Sequence, residues 1–192
     1  MLYIASVFLG NELMKILVIS DTHGNLPIKI EELGVQAVIH AGDLGDRKFM
    51  KEFAMIENFF AVAGNTDISF DGIIPQTLCD IIGGVKFFLV HNLSAPHRII
   101  MSNFREINEC RPDLVVYGHT HMPVIEKKDG IFFINPGSLG KDGLTGHKTY
   151  AIVEIDKSKI VSAEIFDAIS GDVLSSLKKN ELLNNCLNKM EN

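Results

Sequence analysis

Seven residues of this chain combine ligand chemistry with telling positions: Asp21, His23, Asp43, Asn65, His91, His119 and His121. Two carboxylates, one carboxamide and four imidazoles make an oxygen and nitrogen donor set without thiolate, which suits manganese, iron, nickel or zinc better than calcium. The set exceeds what one ion takes from protein. Two ions sharing a bridging carboxylate would use all of it, and ions roughly 3.5–4 Å apart clamp the attacking and leaving oxygens of an in-line displacement at phosphorus. The chemistry within reach is hydrolysis of a phosphate ester.

Taken singly, each motif is weak. Asp21-x-His23 can share an ion on a loop, Gly42-Asp43 and Gly64-Asn65 are common turn pairs, and a lone His91 is more often a satisfied buried histidine. His119-x-His121 is stronger, although surface histidine pairs are not rare. Their order along the chain changes the weight, because each directly follows an apolar run.

Those runs are the elements that must position the donors. Residues 16–19, 37–39, 59–62, 85–90 and 114–117 are short, apolar and largely β-branched or aromatic, the pattern of strands buried on both faces. In open α/β sheets ligands bind beyond the carboxyl ends of the strands, so polar residues at five such ends can converge. Helical periodicity is expected over residues 46–58 and 97–110, where Ile100, Phe104 and Ile107 recur. After His121 the pattern turns to strands alone at 124–127, 131–134, 149–155 and 159–165, which reads as an antiparallel sheet. Residues 172–190 read as an amphipathic helix.

With 192 residues, 46% hydrophobic and 22% charged, the chain can bury one full core. A net charge of −6 and no basic run argue against an extended nucleic-acid surface. A bound cation would instead draw an anionic substrate locally. Cys79, Cys110 and Cys186, odd in number and widely spaced, are expected to be reduced and structural, in a cytoplasmic protein. The apolar start lacks a positive n-region and a cleavage pattern and is too short to span a bilayer. Residues 1–13 are expected to be an upstream extension or a mis-called start, 14–168 a single domain and 169–192 a helical tail.

Asp21-x-His23, Gly42-Asp43, Gly64-Asn65-x-Asp67, His91 and Gly118-His119-x-His121 together resemble the calcineurin-like metallophosphoesterase superfamily, over about residues 14–156. Size and the Asn135-Pro136-Gly137-Ser138 loop are similar to its small prokaryotic branch, the YfcE-like phosphodiesterases. The resemblance implies an α/β (α+β) fold, a four-layer αββα sandwich of two mixed sheets with helices outside. It implies one divalent ion on Asp21, His23, Asp43 and His121 and a second on Asp43, Asn65, His91 and His119. Manganese is the expected ion, with nickel, iron or zinc as alternatives. Asp43 would bridge, a hydroxide between the metals would attack phosphorus, and Asp43, Asn65 and His91 are the expected catalytic residues of a phosphodiesterase acting on a small ester. Homo-oligomerisation is compatible with this reading.

Two positions depart from the pattern. Thr66 stands where many superfamily members carry a histidine that protonates the leaving group, and a threonine hydroxyl is a poor general acid; His97 is an alternative donor. Asn92 follows His91 where glycine is usual, and a positive φ there would carry strain. His40 reads as a buried core histidine rather than a support for a ligand, Asp46 as a helix N-cap, Asp67 as a support or a turn residue, and Pro136 and Gly137 as loop geometry; His147 has no assigned role. The rival function is a non-catalytic metal-binding scaffold, because the fold also resembles a retromer subunit. A nuclease of the same superfamily would need a basic groove that the sequence lacks.

Overall fold

The computed structural model describes residues 13–70, 72–93, 101–140 and 146–178. Expectations for residues 1–12, for His97 and for the tail beyond residue 178 lie outside that range.

β1 (Met14–Ile19), β2 (Ala37–His40) and β3 (Phe59–Ala61) run parallel, with Ile16 against Ala37 and Val38 against Phe59. β1 needs no polar alternation, because both of its faces are covered. Ile16 and Val18 enter the space between two sheets, while Leu17 and Ile19 join an outer cluster with Val38, Phe49 and Phe53. β4 (Thr77–Ile82) and β5 (Val85–Val90) form a hairpin in the second sheet. Sequence reading passed over β4, although Gly83-Gly84 marks it: both turn residues have positive φ, which a two-residue hairpin requires. α1 (Met101–Cys110) precedes β6 (Leu114–Val116), and β7 (Val124–Lys128) and β8 (Ile131–Asn135) complete that sheet.

β9 (Thr149–Asp156), β10 (Lys159–Asp167) and β11 (Val173–Lys178) follow. The strand orders are β11-β10-β9-β1-β2-β3 and β4-β5-β6-β8-β7. The two mixed sheets stack on a core of Ile16, Val18, Ile39, Phe87, Leu89, Val116, Ile134 and Val153. On the outer face of the second sheet, Ile107 and Cys110 of α1 pack with Phe88, Val115 and Phe133. The expected sandwich is therefore present, with one outer layer formed largely of short turns.

Four local expectations are corrected. The second half does not build its own antiparallel sheet. β8 pairs parallel to β6, whereas β9 pairs antiparallel to β1, so the later strands cover open edges of both sheets. Residues 46–58 hold only a 3₁₀ turn, Phe49–Phe53. Phe49 and Phe53 reach the sheet but Met55 is 95% exposed, so a longer helix would have no apolar face to bury. Lys48, not Asp46, is the N-cap of this turn, although Asp46 just before it accepts the N–H groups of Lys48 and Phe49 at 2.9 and 3.0 Å. Val173–Lys178 is a strand, because the free edge of β10 offers backbone partners that outweigh helical spacing.

The fourth correction concerns the thiols. Cys79 on β4 and Cys110 at the end of α1 form a disulfide, with Cα atoms 6.1 Å apart. Sequence separation hides a pairing that the packing of α1 beside the hairpin creates. The support that reduced cysteines lent to a cytoplasmic location is withdrawn. Among the described residues, no helix is long and apolar enough to cross a membrane.

His147 gains a role at the far side of the first sheet, where its Nδ1 lies 2.5 Å from Asp167 Oδ2. The N–H groups of Ser170 and Ile169, and then the His147 ring, hold the Asp167 carboxyl down at about 2. A carboxyl lowered from 3.8 stabilises the fold fully above that pH and loses its contribution as pH falls toward 2. Asp167→Asn should therefore be less stable than wild type near neutrality, with the gap closing across that acid window in urea titrations. Reduction of Cys79–Cys110 should lower unfolding stability by about 2–4 kcal/mol. Denaturant curves with and without a dithiol check this, and Cys79→Ser should abolish the response.

Candidate metal centre

The carboxyl ends of β1, β2, β3, β5 and β6 meet at one edge of the sandwich. The loop after β1 is laced to the loop after β2 by three backbone bonds: Asp21 N to Gly42 O, His23 N to Asp43 O and Gly24 N to Leu44 O, at 2.7–2.9 Å. The second sheet closes onto the first through His119 N, which donates to Asp21 Oδ2 at 3.1 Å. Five of the seven candidate donors hold left-handed backbone: Asp21, His23, Asp43, His119 and His121, with φ of 53°, 47°, 56°, 68° and 55°. Non-glycine residues seldom sit there, and such strain gathers at functional sites. Asn92 is not among the described positive-φ residues, so the loss of glycine after His91 strains nothing.

All seven side chains are brought together. Asp43 Oδ2 lies 3.7 Å from His23 Nε2 and 3.6 Å from His91 Nε2. Asp21 Oδ1 lies 3.2 Å from His121 Nε2. Asn65 Oδ1 lies 3.0 Å from His91 Nε2 and 2.9 Å from His119 Nδ1. Two trios, Asp21/His23/His121 and Asp21/Asp43/His91, offer ligand atoms within 4.8 Å of one another. Asp21, Asp43 and His91 form a buried floor, whereas Asn65 and His119 are exposed and form an open rim.

The His91 ring explains what the cluster is built to hold. Its Nδ1 is 2.7 Å from the carbonyl of Ala41, which can only accept, so Nδ1 carries a proton, and in the neutral ring Nε2 is then the lone pair. That lone pair faces Asn65 Oδ1 and Asp43 Oδ2, also acceptors. Acceptors converging without a hydrogen between them need a cation, and imidazole ligands characteristically donate their second N–H to a carbonyl. Asp21 Oδ1 is likewise buried without a hydrogen bond. The donor set fits divalent metal.

Surrounding groups fix these donors. Burial pushes the Asp43 carboxyl upward, but the Thr66 N–H at 2.9 Å from Oδ1 and the fields of His91 and His23 outweigh it, holding the group below its ordinary value. Asp67 ties two ligand loops, accepting Gly64 N at 2.8 Å and Gly45 N at 3.2 Å. Burial above all, and the neighbouring His91, push His40 down to about 3, so its ring is neutral.

Three supports escaped sequence reading. Asn135, the last residue of β8, donates to Gly118 O at 2.9 Å and to Thr120 Oγ1 at 3.0 Å, bracing the loop of His119 and His121. Ser138 Oγ donates to Asp21 O at 3.1 Å. Thr22, between two ligands, turns its hydroxyl to Leu44 O at 2.9 Å. Asn135 carries the same signal as the donors, a polar residue ending an apolar strand. Ser138 belongs to the Asn135–Ser138 loop that carries the family resemblance, without a role read for it there, and Thr22 carries no signal.

The family description of the calcineurin-like phosphoesterase superfamily domain matches residues 14–158. The chain belongs to this superfamily. It is 33% identical over 165 residues to a phosphodiesterase of Methanocaldococcus jannaschii, covering 76% of this chain and 96% of that one. It is 28% identical over 176 residues to phosphodiesterase YfcE of Escherichia coli strain K12, covering 78% of this chain and 92% of that one. Among solved structures, a predicted phosphoesterase of Streptococcus pneumoniae aligns with a TM-score of 0.68 at 25% identity, over 88% of this chain and 100% of the other. Vacuolar protein sorting 29 of Cryptosporidium parvum shares the fold, with a TM-score of 0.69 at 22% identity, over 87% and 99% of the two chains. The chain is thus a metal-dependent phosphoesterase, of a family that binds divalent metals.

Gly64 shows how tightly the centre is packed: a methyl group there would overlap Asp43 Oδ1 and the Asp43 amide. Its φ is unremarkable, so the constraint is space. Gly64→Ala should destabilise the fold by about 1–3 kcal/mol and weaken metal binding. Denaturant titration and calorimetry with Mn²⁺ measure the two effects.

Proposed function

We propose that this phosphoesterase is a phosphodiesterase that uses two divalent ions, with Mn²⁺ as the expected pair, to hydrolyse a small phosphate ester. The observation that carries the reading is the acceptor cluster of His91 Nε2, Asn65 Oδ1 and Asp43 Oδ2 beside the trio of Asp21, His23 and His121. Asp21, His23, Asp43 and His121 would hold one ion, and Asp43, Asn65, His91 and His119 the other. Bound there, the ions would supply Lewis-acid activation of a water nucleophile and neutralise charge at phosphorus.

The chain's own residues do the rest. Asp43, kept ionised by the Thr66 N–H and its imidazole neighbours, stays available to both ion positions. Exposed Asn65 and His119 give an ester access from the open rim. Thr66 spends its N–H on Asp43, and the neutral, buried His40 cannot reach solvent to protonate a departing oxygen. Relatives named phosphodiesterases support the diester assignment. The complete donor set weighs against the scaffold alternative.

Chelator-stripped protein, assayed on an activated phosphodiester and its monoester with Mn²⁺, Ni²⁺, Zn²⁺ or no metal, tests the proposal. Turnover should require metal and favour the diester, and His121→Ala should lower it by more than about 100-fold, beyond the cost typical of losing a supporting group. Measured metal binding without turnover on any ester would return the function to a scaffold.

A further inference from the structure

The Ala41–Gly42 peptide lies between two imidazoles. Its carbonyl faces His91 Nδ1 at 2.7 Å, and its N–H faces His40 Nδ1 at 3.2 Å. A peptide carbonyl can only accept and a peptide N–H can only donate, so one planar group imposes opposite tautomers on the rings. His91 carries its proton on Nδ1 and His40 on Nε2. His40 Nε2 then donates to Thr22 Oγ1 at 2.8 Å, and the Thr22 hydroxyl donates to Leu44 O at 2.9 Å. Every donor in this chain points the same way, from His91 through the peptide and His40 to Thr22, and aligned bonds of this kind polarise one another. His40, Thr22 and Ala41 are wholly buried, so no solvent competes. Gly42 makes the approach possible, because a methyl group there would come within 2.7 Å of His91 Nδ1.

We infer that His40 and Thr22 are positioning residues for the centre, acting on His91 through the Ala41–Gly42 peptide to fix its tautomer and aim its Nε2 lone pair at the ion position. The inference deepens the two-ion reading and rests on it for its metal readout. His40 is then more than core filling. It lies two bonded groups away from the ligand it orients, and Thr22 itself stands between Asp21 and His23 in the chain, so the segment carrying those two residues is tied to the same relay.

Long-range ¹H–¹⁵N spectra of the stripped full-length protein should show His91 protonated at Nδ1 and His40 at Nε2. Either ring in the other tautomer would overturn the relay, whether or not metal binds. Thr22→Val should weaken Mn²⁺ binding by about 10-fold or more in calorimetry and shift the His91 ring nitrogens, while Thr22→Ser restores both. Unchanged affinity and unchanged His91 nitrogens in Thr22→Val would overturn the inference. Should Thr22→Val fold poorly, the wild-type tautomers and the Thr22→Ser protein still decide it, since a serine that keeps the hydroxyl but loses affinity also overturns it. A wild-type protein that binds no Mn²⁺, Ni²⁺ or Zn²⁺ would overturn the proposed function, while the tautomers alone still decide the relay.

Discussion

Acceptor atoms crowd one edge of this protein, and the rest of the structure is arranged around that crowding. Two carboxylates with almost no solvent exposure, Asp21 and Asp43, meet an imidazole lone pair and an amide oxygen within a few ångströms. Removing a carboxylate from water costs several kcal/mol unless it is paired. Left-handed backbone adds about 1–2 kcal/mol for each L-residue that adopts it, and five donors do. Against a domain stability of about 5–15 kcal/mol, such a centre cannot hold itself together. It has to be clamped by a rigid scaffold and compensated by positive charge.

The two-sheet architecture supplies the clamp. Parallel pairing of β1, β2 and β3, and of β5 and β6, delivers five strand ends to a common edge. Strands buried on both faces cannot slide without exposing a whole apolar row. The loops inherit that precision through backbone bonds such as Asp21 N to Gly42 O and Gly118 N to His91 O, the latter at 2.9 Å. Side-chain supports then lock direction rather than position: Asn135 for the His119 loop, Ser138 for Asp21, Asp67 for the Gly45 and Gly64 turns.

Much of this was legible in the sequence, because strand-end donors carry two signals at once, an apolar run and a polar terminus. The seven candidate donors that meet at this edge, and the strands leading to them, follow from that rule. What stayed hidden depends on partners distant in sequence. β11 is a strand only because β10 has a free edge, and Cys79 meets Cys110 only because α1 packs beside the β4–β5 hairpin. The segment after Asp43 has helical spacing but too few apolar residues to bury, and the sheet took Phe49 and Phe53 while leaving Met55 in water. The left-handed backbone at Asp and His positions has no sequence signature comparable to glycine.

Thr66 shows how the chemistry follows from the packing. Its N–H is committed to Asp43 Oδ1 and its hydroxyl also bonds the Asp43 carboxyl, so the residue serves that carboxylate with backbone and side chain together. A histidine at this position would keep the backbone bond and give up the hydroxyl's bond to Asp43; threonine keeps both and omits the imidazole. The other imidazoles of the described centre each have a neighbour: His91 has Ala41 O, His119 has Asn65, His121 has Asp21, His23 has Asp43 and the His121 ring, and His40 beneath the loop has Thr22. His147 is held by Asp167 at the end of β10, two strands from β1. On the proposed two-ion reading, leaving-group protonation would have no dedicated imidazole among the described residues, and the burden would shift to charge neutralisation at phosphorus. That balance would favour esters whose leaving oxygen departs as a stable anion, with the buried carboxylates and the His91 ring carrying the ions that turnover would need.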